Sequence, residues 1–161
     1  KSLLSHERLG GARAYEVRKV LDKARAVASK EMSGGKRLID EDWFARRLWT
    51  LEVDLLALEQ TIVRFVAEVC AGKTLGPETS MLKARGSGAQ QSARDLLVDA
   101  VGYYGLPFEH DVFEMDDEDG FLGPEYAITV AAERYSVRGS TIAGGSREVQ
   151  AMVTAKRVLG L

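Results

Sequence analysis

The chain has 161 residues, 45% of them hydrophobic and 29% charged, and 22 basic against 24 acidic side chains leave a formal net charge of −2. That length and apolar content suit one domain with a proper core, and the near balance of charge gives no electrostatic footing for nucleic acid or an anionic membrane. One cysteine, Cys70, excludes an internal disulfide and is compatible with a reducing, cytoplasmic setting. Within these residues there is no signal-peptide pattern and no apolar run long enough to span a bilayer.

The first helix is expected over 5–29, with Val17, Val20, Leu21, Ala24 and Ala28 on one face, stopped by Gly34 and Gly35 of "EMSGGK". A chain that starts at Lys1 rather than Met and enters a helix almost at once suggests a piece of something larger. The second helix carries the clearest pattern: Phe44, Leu48, Leu51, Leu55, Leu58, Ile62, Phe65 and Val69 alternate steps of four and three. Asp40, Glu41 and Asp42 offer a cap and an acidic first turn, and Gly72 ends it. Trp49, Leu56, Val63 and Cys70 form a second stripe, which predicts burial on more than one side and a buried Cys70 thiol rather than a nucleophile.

The third helix is expected over 77–101, opened by Pro77. Its middle, "KARGSGAQQSAR", is rich in small residues that cost helix propensity, so it predicts close helix approach or a ligand near the backbone. "YYGLPFEHDVFEMDDEDGFLGP" reads as a polar loop whose acidic patch, 114–119, is a solvated surface; the spacing of a calcium-binding EF-hand is missing. Pro124 opens a fourth helix through Arg138.

In the closing "STIAGGSREVQAMVTAKRVLGL", Gly144, Gly145 and Ser146 stand immediately before a fifth helix whose Val149, Met152, Val153 and Leu159 share a face, and Gly160 stands where that helix would end. Unpaired N–H groups at a helix N-terminus suit an anion such as a phosphate; a tight turn is the plainer reading of this stretch taken alone. No internal repeat is found and strand signals are weak. The expected fold is all-α: an antiparallel up-down four-helix bundle with an additional C-terminal helix, one domain over 1–161. His6 and His110 are too few and too poorly spaced for a zinc site, so no metal is expected. "SGGK" lacks the strand and spacing of a phosphate loop, and no nucleophilic triad can be assembled.

Three stretches, "LSHERLGGA", "GPETSMLKARGSGAQQ" and "STIAGGSREVQAMVTAKRVLGL", resemble the C-terminal helical domain of acyl-CoA dehydrogenases in the family's order and spacing, over essentially the whole chain. "GGKRLIDEDWFARRL" is particularly similar to the subgroup named for pimeloyl-CoA dehydrogenase. The resemblance implies an FAD-dependent enzyme that dehydrogenates an acyl-CoA thioester between its α and β carbons. A carboxylate takes the α proton while a hydride passes to the flavin. It also implies N-terminal helical and middle β-domains absent from these residues, an electron-transferring flavoprotein as electron partner, and a dimer or tetramer of like or unlike chains.

The same resemblance supplies candidate residues. Where the family usually reads Tyr-Glu-Gly-Thr, with that Glu as base, this chain has Ala143, Gly144, Gly145 and Ser146. Members typified by isovaleryl-CoA dehydrogenase place the base in a Glu-Arg pair, which Glu7 and Arg8 of "HERL" match. A carboxylate beside an apolar acyl chain has its pKa raised and gains strength as a base; the plainer alternative for Glu7 is a first-turn acid stabilising a helix N-terminus.

Gly102, Gly145, Ser146 and Glu148 fall at flavin-facing positions. Ala143 and Gly144 leave volume beside the thioester for a bulky acyl group, or mark a turn in a subunit without catalysis. Two departures stand out. The family's Arg-x-x-Phe-Gly becomes Glu31, Met32, Ser33, Gly34 and Gly35, and its Gln-x-x-Gly-Gly becomes Asp99, Ala100, Val101, Gly102 and Tyr103. An acid in such a place repels a pyrophosphate. The alternative function is therefore a non-catalytic oligomerisation subunit whose partner holds the flavin, with a flavin oxidase on the same scaffold as a remoter reading.

Overall fold

The computed structural model describes residues 10, 12–108 and 123–161. Among them are five α-helices and one minimal hairpin, so the fold is all-α. Helix α1 spans Ala14–Ala28 and buries Val17, Val20, Leu21, Ala24, Val27 and Ala28. It does not continue unbroken from residue 5 as the periodicity predicts. Arg13 stands in the left-handed region at φ 44, the one non-glycine residue with positive φ among those described. The cause is tertiary: a Cβ on Gly86 would lie 2.4 Å from the Ala12 carbonyl oxygen, so the lead-in is pressed against a neighbouring helix and must bend to enter α1.

Gly34 and Gly35, at φ 56 and 86, do more than stop the helix. They turn a two-residue antiparallel hairpin, β1 (Met32–Ser33) with β2 (Lys36–Arg37), in the register Met32↔Arg37 and Ser33↔Lys36. Positive φ at both central residues is what such a turn demands. A 3-10 turn over Leu38–Asp40 leads into α2, Asp42–Cys70. The expected acidic cap makes no side-chain bond: the N-cap is Glu41, whose side chain caps nothing, and Asp40 before it accepts from Arg37 at 2.8 and 3.2 Å. A second 3-10 turn, Pro77–Thr79, precedes α3, Ser80–Val101. The fourth helix is shorter than expected: α4 covers Val130–Ser136 and tightens into a 3-10 turn over Val137–Thr141. Helix α5, Arg147–Thr154, widens into a π-turn over Ala155–Leu159 before Gly160 at φ 72.

Helix α3 is the hub and packs against α1, α2, α4 and α5. The main core joins Val17, Leu21 and Ala24 of α1 to Phe44, Leu48 and Leu55 of α2, Leu96 and Leu97 of α3 and Val130 of α4. A second cluster, Ala12, Leu58, Phe65, Leu75 and Leu82, seals the other end. Of the small residues of α3, Gly86 is explained by close approach, since α3 and the Ala12 backbone meet there without an intervening side chain.

The second stripe of α2 is not buried. Trp49, Leu56 and Val63 are 62%, 50% and 60% exposed, and Cys70 is exposed too. Both neighbours of α2 pack on its Phe44–Leu55 side, so among the described residues nothing covers the other. Helix α5 likewise turns Val149, Met152 and Leu159 outward, and its buried residue is Gln150.

Candidate functional site

The stretch singled out in the sequence, Ala143 to Ser146, forms an open turn between the 3-10 turn at Val137–Thr141 and α5. Gly144 and Gly145 sit at φ 70 and 99, where L side chains rarely go. A Cβ on Gly145 would lie 2.5 Å from Gln150 Nε2 and would displace that side chain. Ser146 is the N-cap of α5, and its hydroxyl accepts from the Val149 N–H at 3.3 Å. Glu148, exposed in the first turn, has its pKa lowered by the bond to its own backbone N–H and then by the Ser146 hydroxyl.

Two side chains brace this turn. Gln150 donates from Nε2 to the Gly144 carbonyl at 3.3 Å, while its Oε1 is buried with no partner among the described residues. Lys83 of α3 donates from Nζ to the Ser140 carbonyl, and its Cε would lie 3.8 Å from a Cβ on Gly144. Burial first, and then the neighbouring Arg13 charge, push the Lys83 pKa below its ordinary value. Sequence reasoning missed both braces; Gln150 lies only six residues from Gly144, whereas the partner of Lys83 is 57 residues away, outside any local pattern. A groove of about 440 Å³ between α2 and α3, walled by Leu51, Leu58, Met81, Arg85 and Gly88, reaches Arg147 at the start of α5.

At the other end of α3 the remaining candidates are engaged differently. Asp99 is ion-paired with Arg47 of α2. Glu31 accepts from the Tyr126 hydroxyl, which with burial pushes that phenol up to about 12. Gly102, at φ 66, has nothing within 4 Å of a would-be Cβ, and Tyr103 is 89% exposed. The residues expected to face FAD therefore divide. The Gly145–Ser146 turn fits a ligand: its backbone is bare, and Gln150 Oε1 is a buried acceptor still without a donor. The end bearing Glu31 and Asp99 does not, since ionised carboxylates, here held by Tyr126 and Arg47, offer an anionic diphosphate no donor.

Glu7 and Arg8 lie outside the described residues, as do His6, His110 and the acidic patch at 114–119. Among the described residues no three His, Cys, Asp or Glu side chains gather as a metal set, and no helix is long and apolar enough to cross a membrane.

An all-α domain built around a hub helix, with a braced glycine turn at the mouth of its last helix, is thus the class of protein this chain defines. The family model described as acyl-CoA dehydrogenase, C-terminal domain, matches residues 1–159, and the chain belongs to that family. No curated protein sequence matches it. Among solved structures it is similar to a glutaryl-coenzyme A dehydrogenase in complex with glutaryl-CoA, at 19% identity and a TM-score of 0.78, over 98% of this chain and 36% of that one. Butyryl-CoA dehydrogenase from Megasphaera elsdenii gives 20% identity and 0.75, covering 97% and 37%. The ChsE4–ChsE5 complex from Mycobacterium tuberculosis gives 21% and 0.69, covering 92% and 35%. The chain thus spans little more than a third of each of these relatives.

Proposed function

We propose that the chain is the C-terminal part of a flavin-dependent acyl-CoA dehydrogenase of the pimeloyl-CoA dehydrogenase-like subgroup that introduces an α,β double bond into an acyl-CoA thioester. Bound FAD would accept the β-hydride. In this reading Glu7 takes the α proton, Arg8 orients it, Gly102, Gly145, Ser146 and Glu148 face the flavin, and Ala143 and Gly144 leave room for a branched or cyclic acyl group. An electron-transferring flavoprotein then collects the electrons, in a cytoplasmic dimer or tetramer. The observation that carries this is the turn itself: glycines at φ 70 and 99 leave its backbone bare, and the buried Gln150 Oε1 beside it has no donor within the described chain.

The test is Glu7→Gln in the protein that carries this chain. Folding and the yellow colour of bound flavin should persist while dehydrogenation falls about 10²-fold or more, the scale of general-base catalysis. Near-normal turnover would remove Glu7 from the mechanism.

The second reading, a non-catalytic subunit whose partner holds the flavin, draws on the other end of the bundle. There Glu31 and Asp99 are satisfied internally and offer a diphosphate nothing. The exposed stripe of α2 suits assembly under either reading. A colourless, flavin-free protein would favour the second.

A further inference from the structure

The Gly144–Gly145 turn has little of its own to hold it. Glycines at φ 70 and 99 leave such backbone states easily, because nothing but neighbours forbids the alternatives. On the α5 side Gln150 supplies one restraint, the bond to the Gly144 carbonyl. The second comes from α3. Lys83 reaches from the first turn of that helix to the Ser140 carbonyl, 57 residues on, with its stem passing along the side where Gly144 has no side chain.

The placement of Lys83 is not that of an ordinary surface lysine. It is partly buried, Arg13 is its charged neighbour, and no carboxylate among the described residues forms an ion pair with it. Arg13 stands there because Ala12 is pressed onto Gly86, three residues beyond Lys83 on the same helix. A cation kept half-buried beside another cation costs free energy, and what it gains is one charge-assisted bond to Ser140, in the 3-10 turn that leads into the glycine turn.

We propose that Lys83 is a positioning residue that ties the Val137–Thr141 turn, the lead-in to the Gly-Gly turn, to α3 and so fixes where Ala143 to Ser146 stand against a bound acyl-CoA. The tie itself is a property of this chain; its bearing on turnover rests on the dehydrogenase reading.

Hydrogen exchange read by mass spectrometry separates the two, using the intact protein with Lys83 replaced by Met, which keeps the length and loses the donor, or by Arg, which keeps charge and donors. Lys83→Met should speed exchange over 139–146 about tenfold, the change that 1.4 kcal/mol makes, and leave α1 and α2 as in the wild type. Lys83→Arg should recover most of that protection. With acyl-CoA present, kcat should fall about tenfold while KM moves less than about twofold, as for an interaction that orients the reacting groups. Unchanged exchange at 139–146 in the Met variant, or an equal rise throughout α2, overturns the proposal. Faster exchange at 139–146 in the Met variant, where the wild-type protein itself shows no dehydrogenation, upholds the tie and defeats the dehydrogenase reading instead.

Discussion

Gly86 and Gly88 sit two residues apart on α3 and face opposite circumstances. A methyl group on Gly86 would meet the carbonyl oxygen, Cα and carbonyl carbon of Ala12 at 2.4, 2.6 and 2.8 Å, all backbone atoms that cannot swing aside. One on Gly88 would meet nothing within 4 Å. Gly86→Ala should therefore destabilise by about 1–3 kcal/mol, the usual cost of overpacking, and lower the melting midpoint by about 2–4 °C for each of those kcal/mol. Gly88→Ala should stabilise by roughly 0.5–1 kcal/mol, since glycine in a helix interior wastes conformational entropy. Thermal unfolding of the pair checks both; equal shifts would mean that the Ala12 contact does not constrain α3.

At the scale of elements, α2 shows what an apolar period does and does not tell. The four-three spacing of Phe44, Leu48, Leu55, Leu58 and Phe65 names the face that this chain buries. Trp49, Leu56 and Val63 have the same spacing and are exposed, because periodicity reports that a face wants a partner and not whether the partner lies in the same chain. Val53, 66% exposed, lies on that outer face as well. Val53→Asp should therefore leave the melting midpoint of the chain nearly unchanged and weaken its self-association about tenfold or more, the equivalent of a lost valine burial of about 1.5 kcal/mol. Sedimentation of the wild type and variant over a concentration series reads this directly, and an unaltered mass distribution would release the face from any role in assembly. The same limit explains the missed bend at Arg13 and the missed Lys83 brace of the turn. Helix existence is written in neighbouring residues, whereas Ala12 meets Gly86, and Lys83 meets Ser140, only after α3 is in place. The glycine turn was legible because its composition is local; what holds it was not.

Across the whole molecule, the Glu31–Tyr126 bond fastens the hairpin end of α1 to the segment that leads into α4. Tyr126 keeps its proton up to about 12, through Glu31 first and burial second, against an ordinary value of 10.0. Above pH 10 the unfolded chain sheds a proton that the folded chain retains, so stability from this group is complete below pH 10 and lost as pH rises toward 12. Glu31→Ala should bring the phenolate transition, read in the near ultraviolet, down toward the ordinary value. It should also remove the matching part of the alkaline loss in the urea midpoint. A transition that stays late in that variant would assign the shift to burial.

The long reach of the contacts around the turn also orders events in time. Helices α1 and α2 follow one another closely in the chain and share a core. The Lys83 tie closes only when residues far downstream of α3 arrive, and it involves one hydrogen bond rather than a packed layer. Pairings between distant residues form late, and small cooperative units open before large ones. The Lys83 tie is accordingly expected to close after the α1–α2 core and to open before it on warming, so that exchange over 139–146 should quicken at temperatures where the helices are still intact.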